Sequence, residues 1–364
     1  MKIPRPVHPF PARMAPSIAW KILEDLPHDP RRCVLDPMAG SGTSVVVARQ
    51  MGHKALGFDS DPLSVLIASV WASDVDEQRI ARLTSDVEAE AKAQWRSIPQ
   101  GEAYPTNADI ETRAFLRYWF DATSRRQLTA LARSIMNIRL TADRNLLWCG
   151  FSRLIIVKTA GASLAMDVAH SRPHRTYVSA PIKPVQAFSS AMRRVLQALP
   201  FKDRSRHRPP KATVRLGDAR CLPLDDESID VVITSPPYLN AIDYLRGHKM
   251  SLVLMNHSVS KLRGVRSSNI GTESGVRNGL GSDPVLKKAF AAGITKGRPP
   301  RAQAAIFVRY LSDMRAVLSE IRRVLKKRGQ AALVIGDCLV RGIFVKNSEA
   351  IKSLASHLGL TLIS

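Results

Sequence analysis

Only four cysteines, Cys33, Cys149, Cys221 and Cys338, occur in 364 residues, and none stands in a CxxC pair. That scarcity excludes a disulfide framework or a sequence-encoded zinc ribbon. The apolar neighbours of each cysteine predict reduced, buried thiols and no metal site. Long apolar runs are also missing. No window approaches the ~20 uninterrupted apolar residues of a membrane span, and Met1-Lys2-Ile3-Pro4-Arg5-Pro6 has no apolar signal core. The expectation is a cytoplasmic protein, or a nuclear or organellar one if the source is eukaryotic, with no membrane partner. Acidic residues are scarce beside basic ones: Asp+Glu number 31 against 54 Lys+Arg, a net charge of +23. A compact chain tolerates such self-repulsion most readily when its partner is a polyanion, which puts nucleic acid ahead of an anionic membrane surface. Internal repeats are absent. The hydrophobic content, 45%, supplies a core for one large or two modest domains and excludes a disordered polypeptide.

Chemistry-bearing residues fall in two blocks. In the first, the apolar stretch Cys33 to Leu35 reads as a strand ending at Asp36. Pro37-Met38-Ala39-Gly40-Ser41-Gly42 forms a turn, and a helix begins near Thr43. Glycines there let backbone approach a ligand closely. Lys54 to Asp59 reads as a second strand ending in a carboxylate, at the spacing of a group that accepts from ribose hydroxyls. The third glycine of a dinucleotide fingerprint is missing near Val45. Either NAD or S-adenosylmethionine satisfies this much. Upstream, His8-Pro9-Phe10-Pro11-Ala12-Arg13-Met14 reads as a proline-rich arm ending in a helix start at Pro16-Ser17.

From about Asp74 to Pro210 the pattern is helical and irregular, a long insertion in the α/β unit, with Phe115, Leu116, Trp119 and Phe120 at helical spacing. Within it, Gly161-Ala162-Ser163 and Asp167 to Arg175 form a polar, basic loop. It reads either as a phosphate contact at a site mouth or as a solvated loop. Lys202, Arg204, Arg206, Arg208 and Lys211 mark an exposed basic linker.

The second block resumes the sheet with Thr213 to Leu216, followed by Gly217-Asp218-Ala219. The buried run Ile229 to Ile233 then opens into Thr234-Ser235-Pro236-Pro237-Tyr238. Two prolines fix two φ angles and remove two donors, leaving a stiff turn rich in acceptors, with a hydroxyl before it and a ring after it. That combination suits a planar base with an exocyclic amine. Ser258 to Arg301 has no clear period and carries many cations, which reads as a nucleic-acid contact in preference to a plain linker. Ala304 to Lys327 is predicted as one amphipathic helix, its last turn holding Lys326 and Lys327 and its end marked by Gly329. Gln330 to Asp337 is a fifth strand, Ser348 to His357 a helix, and Leu360 to Ile363 the start of a sixth strand.

With these residues placed, the sequence resembles the S-adenosylmethionine-dependent DNA amino-methyltransferases, and most closely their cytosine-N4 branch. The resemblance implies an α/β Rossmann-like class I methyltransferase fold, a mostly parallel twisted sheet flanked by helices, with a large helical insertion. It covers roughly residues 5 to 74 and 212 to 364. It implies that Ser235, Pro236, Pro237 and Tyr238 are catalytic. The cofactor would be held by His8, Pro9, Asp36, Pro37, Ala39, Gly40, Gly42, Thr43, Asp59, Asp218 and Ala219, with His8-Pro9 at its methionine end and Asp218-Ala219 beside its adenine. Serine in the first place of the turn is commoner among cytosine-N4 enzymes, and aspartate or asparagine among adenine-N6 enzymes. DNA is the implied partner, with a nucleoid-associated location if the source is bacterial and a cognate restriction endonuclease as a candidate companion.

The expected organisation is an arm and cofactor half over 1–74, an insertion over 75–211 that could carry target recognition, and a catalytic half over 212–364 with a basic loop at 258–303. The family's sheet closes with a seventh, antiparallel strand, for which nothing follows Ser364; the expectation is a truncated product or a differently closed fold. Adenine-N6 transfer, an RNA or protein amide target, and an idle DNA-binding scaffold stay open as alternatives. Cysteine-dependent carbon-5 chemistry is disfavoured, because Thr234 to Tyr238 contains no cysteine and Cys221 reads as core.

Overall fold

The computed structural model describes residues 4–11, 13–26, 31–201, 210–239, 243–271, 283–294, 296–297, 299–340 and 342–363. Its central sheet has five strands: β1 (Cys33–Asp36), β2 (Lys54–Asp59), β5 (Ala212–Leu216), β6 (Ile229–Thr234) and β7 (Leu325–Leu333). Among the described residues two small ladders accompany it, β3 (Ala165–Met166) with β4 (His174–Arg175) and β8 (Cys338–Val340) with β9 (Ile343–Val345), both antiparallel. The sheet order is β5-β2-β1-β6-β7, and every pairing in it is parallel. This is a Rossmann-like α/β sheet. Strand order reverses between β1 and β6, so their C-terminal ends open the crevice where such sheets bind ligands.

Successive residues of a buried strand face opposite layers. Val34, Val231 and Ile233 belong to one apolar cluster, whereas Leu35 and Val232 belong to a second on the other side. The first layer contains α1 (Pro16–Glu24), α2 (Thr43–Gln50) and α3 (Pro62–Trp71), together with helices that follow β2: α4 (Glu77–Gln94), α5 (Ile110–Trp119), α6 (Ala122–Met136), α7 (Thr141–Ile155) and α8 (Pro184–Ala198). Leu116, Leu131, Phe151 and Phe188 share that cluster with Val34 and Val45, so the long helical segment is cored on the sheet itself. Buried Arg49 of α2 fixes both ends of this segment. It donates to Asp74 Oδ1 at its start and to the Pro210 carbonyl, 3.0 Å away, at its end, and it lies 4.0 Å over the Phe201 ring.

After β6 come α9 (Tyr244–Leu252), α10 (Val259–Ser268), α11 (Pro284–Gly293), α12 (Arg301–Val324) and α13 (Asn347–His357). The second layer is built by α11, α12 and α13, with Phe307, Leu311, Met314, Leu318 and Ile321 of α12 against β1 and β6. Several local expectations are corrected here. The stretch 258–301 contains two helices, because Ser258 and Asp283 cap them through bonds to Lys261 N and to Val285 and Leu286 N. Lys326 and Lys327 do not end α12; the chain turns extended at Leu325 and enters β7 directly. There Lys326 Nζ donates to Asp230 Oδ1 at 2.8 Å, and Arg328, at φ 67°, takes part in a register shift against β6. No strand forms at 360–363. Of the thiols, Cys149 is buried, Cys33 and Cys338 are half-buried, and Cys221 is exposed, so Cys221 is not core. The basic linker residues Lys202 to Arg208 lie outside the described residues. Among the described residues, no helix is long and apolar enough to cross a membrane.

Candidate functional site

Parallel pairing brings the ends of β1, β2, β5 and β6 to one edge of the sheet, where they open into a cavity of about 800 Å³. Its walls include Asp36, Pro37, Ala39, Gly40, Ser41 and Thr43 from the first turn, Asp59 and Asp61 from the second, Gly217 to Arg220 from the third, and Ser235 to Tyr238 from the fourth. The two sequence blocks therefore meet in space. Pockets of this volume hold a ligand of several hundred daltons.

Asp36 joins the two halves. Thr234 Oγ1 donates to its Oδ1 at 2.7 Å, Ser44 Oγ donates to its Oδ2, and Met38 N donates to Oδ1 at 3.1 Å. Burial pushes its pKa up to about 6 against the lowering effect of these bonds. Asp59 accepts from Gly40 N at 2.8 Å and from Asp61 N at 2.9 Å, which folds the glycine turn onto β2. Burial, reinforced by the neighbouring Asp61 charge, pushes Asp59 up to about 7. Asp61 is also buried, but His248 Nδ1 lies 2.6 Å from its Oδ2 and, with backbone N–H groups, outweighs desolvation and holds it below the usual carboxylate range. Gly42 does not line the cavity. With φ at 90° and a position where a Cβ would meet Ala68 Cβ at 2.7 Å, it lets the turn pack directly on α3.

Two hydroxyls of this turn, Ser41 Oγ and Thr43 Oγ1, are buried without a partner among the described residues. Orphan donors beside a carboxylate that already folds the turn make a donor and acceptor set that fits the polar face of a nucleoside cofactor. The opposite wall differs. Ser235 Oγ donates to the Val334 carbonyl at 3.2 Å, and the Tyr238 ring is partly exposed in the cavity. A Cβ at Gly336 would lie 3.1 Å from that ring, so this glycine makes room for it. Asn240 to Ile242, just beyond, lie outside the described residues.

His8 and Pro9 are not among the cavity walls. His8 is buried, with Nε2 2.9 Å from Ser152 Oγ and Nδ1 2.8 Å from the Pro9 carbonyl, and burial depresses its pKa to about 3. Its place is to dock the arm on α7. Phe10, two residues on, reaches the cavity instead, stacked 5.2 Å from Tyr244. Burial first, then the Asp59 and Tyr238 charges, pushes the Tyr244 hydroxyl up to about 12. Asp218 faces the cavity but is gripped by Arg220, whose Nε and Nη2 donate to its two oxygens at 2.9 and 2.7 Å. Burial raises its pKa, yet the Arg220 bonds outweigh it and hold it low. Arg220 also donates to Asp313 and to the Ser268 carbonyl, both at 2.8 Å, which fixes the end of α10 beside the cavity. Sequence reasoning missed Arg220, Tyr244 and Gly336, and named Arg172 only as part of the polar, basic loop Asp167 to Arg175. Of the three missed residues only Arg220 carried a signal, as a cation adjoining Gly217-Asp218-Ala219.

No family model matches the sequence. The chain is 22% identical over 239 residues to the type II methyltransferase M.MvaI of Kocuria varians, covering 64% of this chain and 52% of that protein. It is 24% identical over 257 residues to the type II methyltransferase M.BsoBI of Geobacillus stearothermophilus, covering 65% and 50%. A shorter match, 28% over 81 residues, is to M.MjaII of Methanocaldococcus jannaschii, covering 22% of this chain and 15% of that protein. The chain spans about half the length of the two curated relatives it matches over the longer stretches. All three are type II methyltransferases, so the similarity is to methyltransferases of that kind.

Proposed function

We propose, from that similarity and from the cavity, that the protein is an S-adenosylmethionine-dependent DNA methyltransferase acting on the exocyclic N4 amine of cytosine. The observation that carries this reading is the facing of two loops across one cavity. The glycine turn and Asp59 form one wall, Ser235 to Tyr238 the other, and the Thr234–Asp36 bond joins their roots. S-adenosylmethionine, when bound, supplies a methyl group activated by its sulfonium. Asp59 would accept from ribose hydroxyls, Ser41 and Thr43 would meet its remaining polar groups, and Asp218-Ala219 would flank its adenine.

A cytosine turned out of the base stack would lie against Tyr238, its N4 amine donating to Ser235 Oγ and the Pro236 carbonyl. The amine is a weak nucleophile because its lone pair is delocalised into the ring. Two acceptors favour a pyramidal nitrogen with the lone pair aimed at the methyl. Ser235 is suited to accepting from the amine, because its own proton is given to the Val334 carbonyl and its lone pairs are left free. The methylated nitrogen is cationic and very acidic, so its proton leaves to water and no strong base is required. Serine in place of the aspartate or asparagine of adenine-N6 relatives supports cytosine as the target.

The test is incubation with duplex DNA and labelled S-adenosylmethionine, followed by digestion and nucleoside mass analysis. N4-methylcytosine is expected. N6-methyladenine would move the assignment to adenine, and a folded sample that binds no S-adenosylmethionine by calorimetry would reduce the protein to an idle scaffold.

A further inference from the structure

We propose that Arg172 and Arg175, carried by the helical segment between β2 and β5, hold phosphates of the DNA strand from which the target base is drawn. The inference rests on the DNA reading above and names where that strand lies: across the mouth of the cavity, between the β3–β4 ribbon and α9.

Arg172 and Arg246 of α9 both line the cavity and are exposed. The turn that presents Arg172 is strained and held in place. Asp167 and Ser171, neither a glycine, adopt φ values of 56° and 54°. Such conformations persist only where surrounding structure imposes them, and they concentrate at functional sites. Here the imposing contacts are visible. Ser171 is buried and its Oγ donates to the Tyr244 carbonyl at 3.2 Å, and a Cβ at Gly247 would come 2.5 Å from the Val168 carbonyl oxygen. The turn is thereby pressed onto α9, immediately after the catalytic loop.

Charge around the cavity and on the neighbouring ribbon is unbalanced. Asp243 is shared by Arg266 at 2.7 Å and Arg246 at 3.9 Å, Glu111 is taken by Arg263, and Asp167 is bonded to His170 at 3.1 Å. Arg172 and Arg175 have no carboxylate partner among the described residues. Instead, the Arg175 guanidinium lies 5.4 Å over the exposed Tyr118 ring, and Arg175 is itself exposed. A planar fork of N–H donors without a carboxylate matches a phosphate.

The experiment is anisotropy titration of fluorescein-labelled duplex DNA between 50 and ~200 mM salt, for the wild-type protein, Arg172→Ala, Arg175→Ala and the double variant. Each single change is expected to weaken binding about tenfold at low salt and to reduce the slope of log K against log salt by about one. Both side chains are exposed, so melting temperatures should match the wild type. Arg172→Lys should keep the wild-type slope, because it keeps the charge. Wild-type affinity and slope in the double variant would overturn this proposal alone. A folded wild-type protein with no affinity for duplex DNA would instead remove the DNA reading beneath it. Preference for single-stranded RNA that depends on the same two arginines would overturn the assignment to DNA.

Discussion

Replacing Asp59 by asparagine tests the electrostatics of the cavity. The side chain is half-buried in the cavity wall, and desolvation there raises its pKa from the ordinary 3.8 to about 7. That corresponds to about 4 kcal/mol between its two protonation states. The folded protein holds this proton more tightly than the unfolded chain does. Stability is therefore highest below the unfolded value, falls as pH rises from 3.8 to about 7, and levels off above that. Between pH 5 and 8 the loss is about 2–3 kcal/mol, or roughly 5 °C in melting temperature for a domain of this size. Asp59→Asn has no such titration. It keeps an acceptor for only one of the two N–H groups, Gly40 or Asp61, that Asp59 now serves. The unserved group costs about 1–3 kcal/mol at every pH. The two melting curves should thus converge as pH rises, the wild type losing its advantage by pH 8, in calorimetry without cofactor from pH 5 to 8.5. A constant gap across that range would refute the account. On the proposed function, cofactor affinity of the wild type should rise with pH through about 7, since the ionised carboxylate is the better acceptor.

On the proposed function, three further outcomes are expected. Ser235→Ala and Tyr238→Ala should lower methyl transfer by roughly a hundredfold or more while leaving cofactor affinity nearly intact, judged by calorimetry beside single-turnover rates. Gly42→Ala should destabilise the fold by about 1–3 kcal/mol in denaturant melts, because φ at 90° and the contact with Ala68 both resist a Cβ. Arg220→Ala should weaken cofactor binding about tenfold, because it frees Asp218 and releases the end of α10 at Ser268.

The parallel sheet was legible because its inner strands are written plainly. Val34-Leu35 and Val231 to Ile233 are buried on both faces and read as unbroken apolar runs. The glycine turn, Asp59 and the proline turn were legible because each needs particular residue types at fixed offsets from a strand end. The edge was not. Lys326, Lys327 and Arg328 look like a cationic helix terminus, yet an edge strand tolerates the same residues, and only the Lys326–Asp230 pairing decides between them. His8 was misplaced for a related reason: a histidine beside two prolines has the composition of a site, whereas its burial against Ser152 is a matter of tertiary packing. Arg172 was seen only as part of a basic loop, because its proximity to the proline turn depends on Gly247 and Ser171 meeting across more than seventy residues of chain.

The bond between Thr234 and Asp36 sets a tolerance as well as a connection. Two reacting molecules held by independent loops would jitter independently, and their separation would spread by the sum of both motions. Here the glycine turn and the proline turn hang from one buried carboxylate, so a displacement of either strand end carries the other with it. On the proposed function, the gap that the methyl group would cross is gauged by a single fixed point in the core.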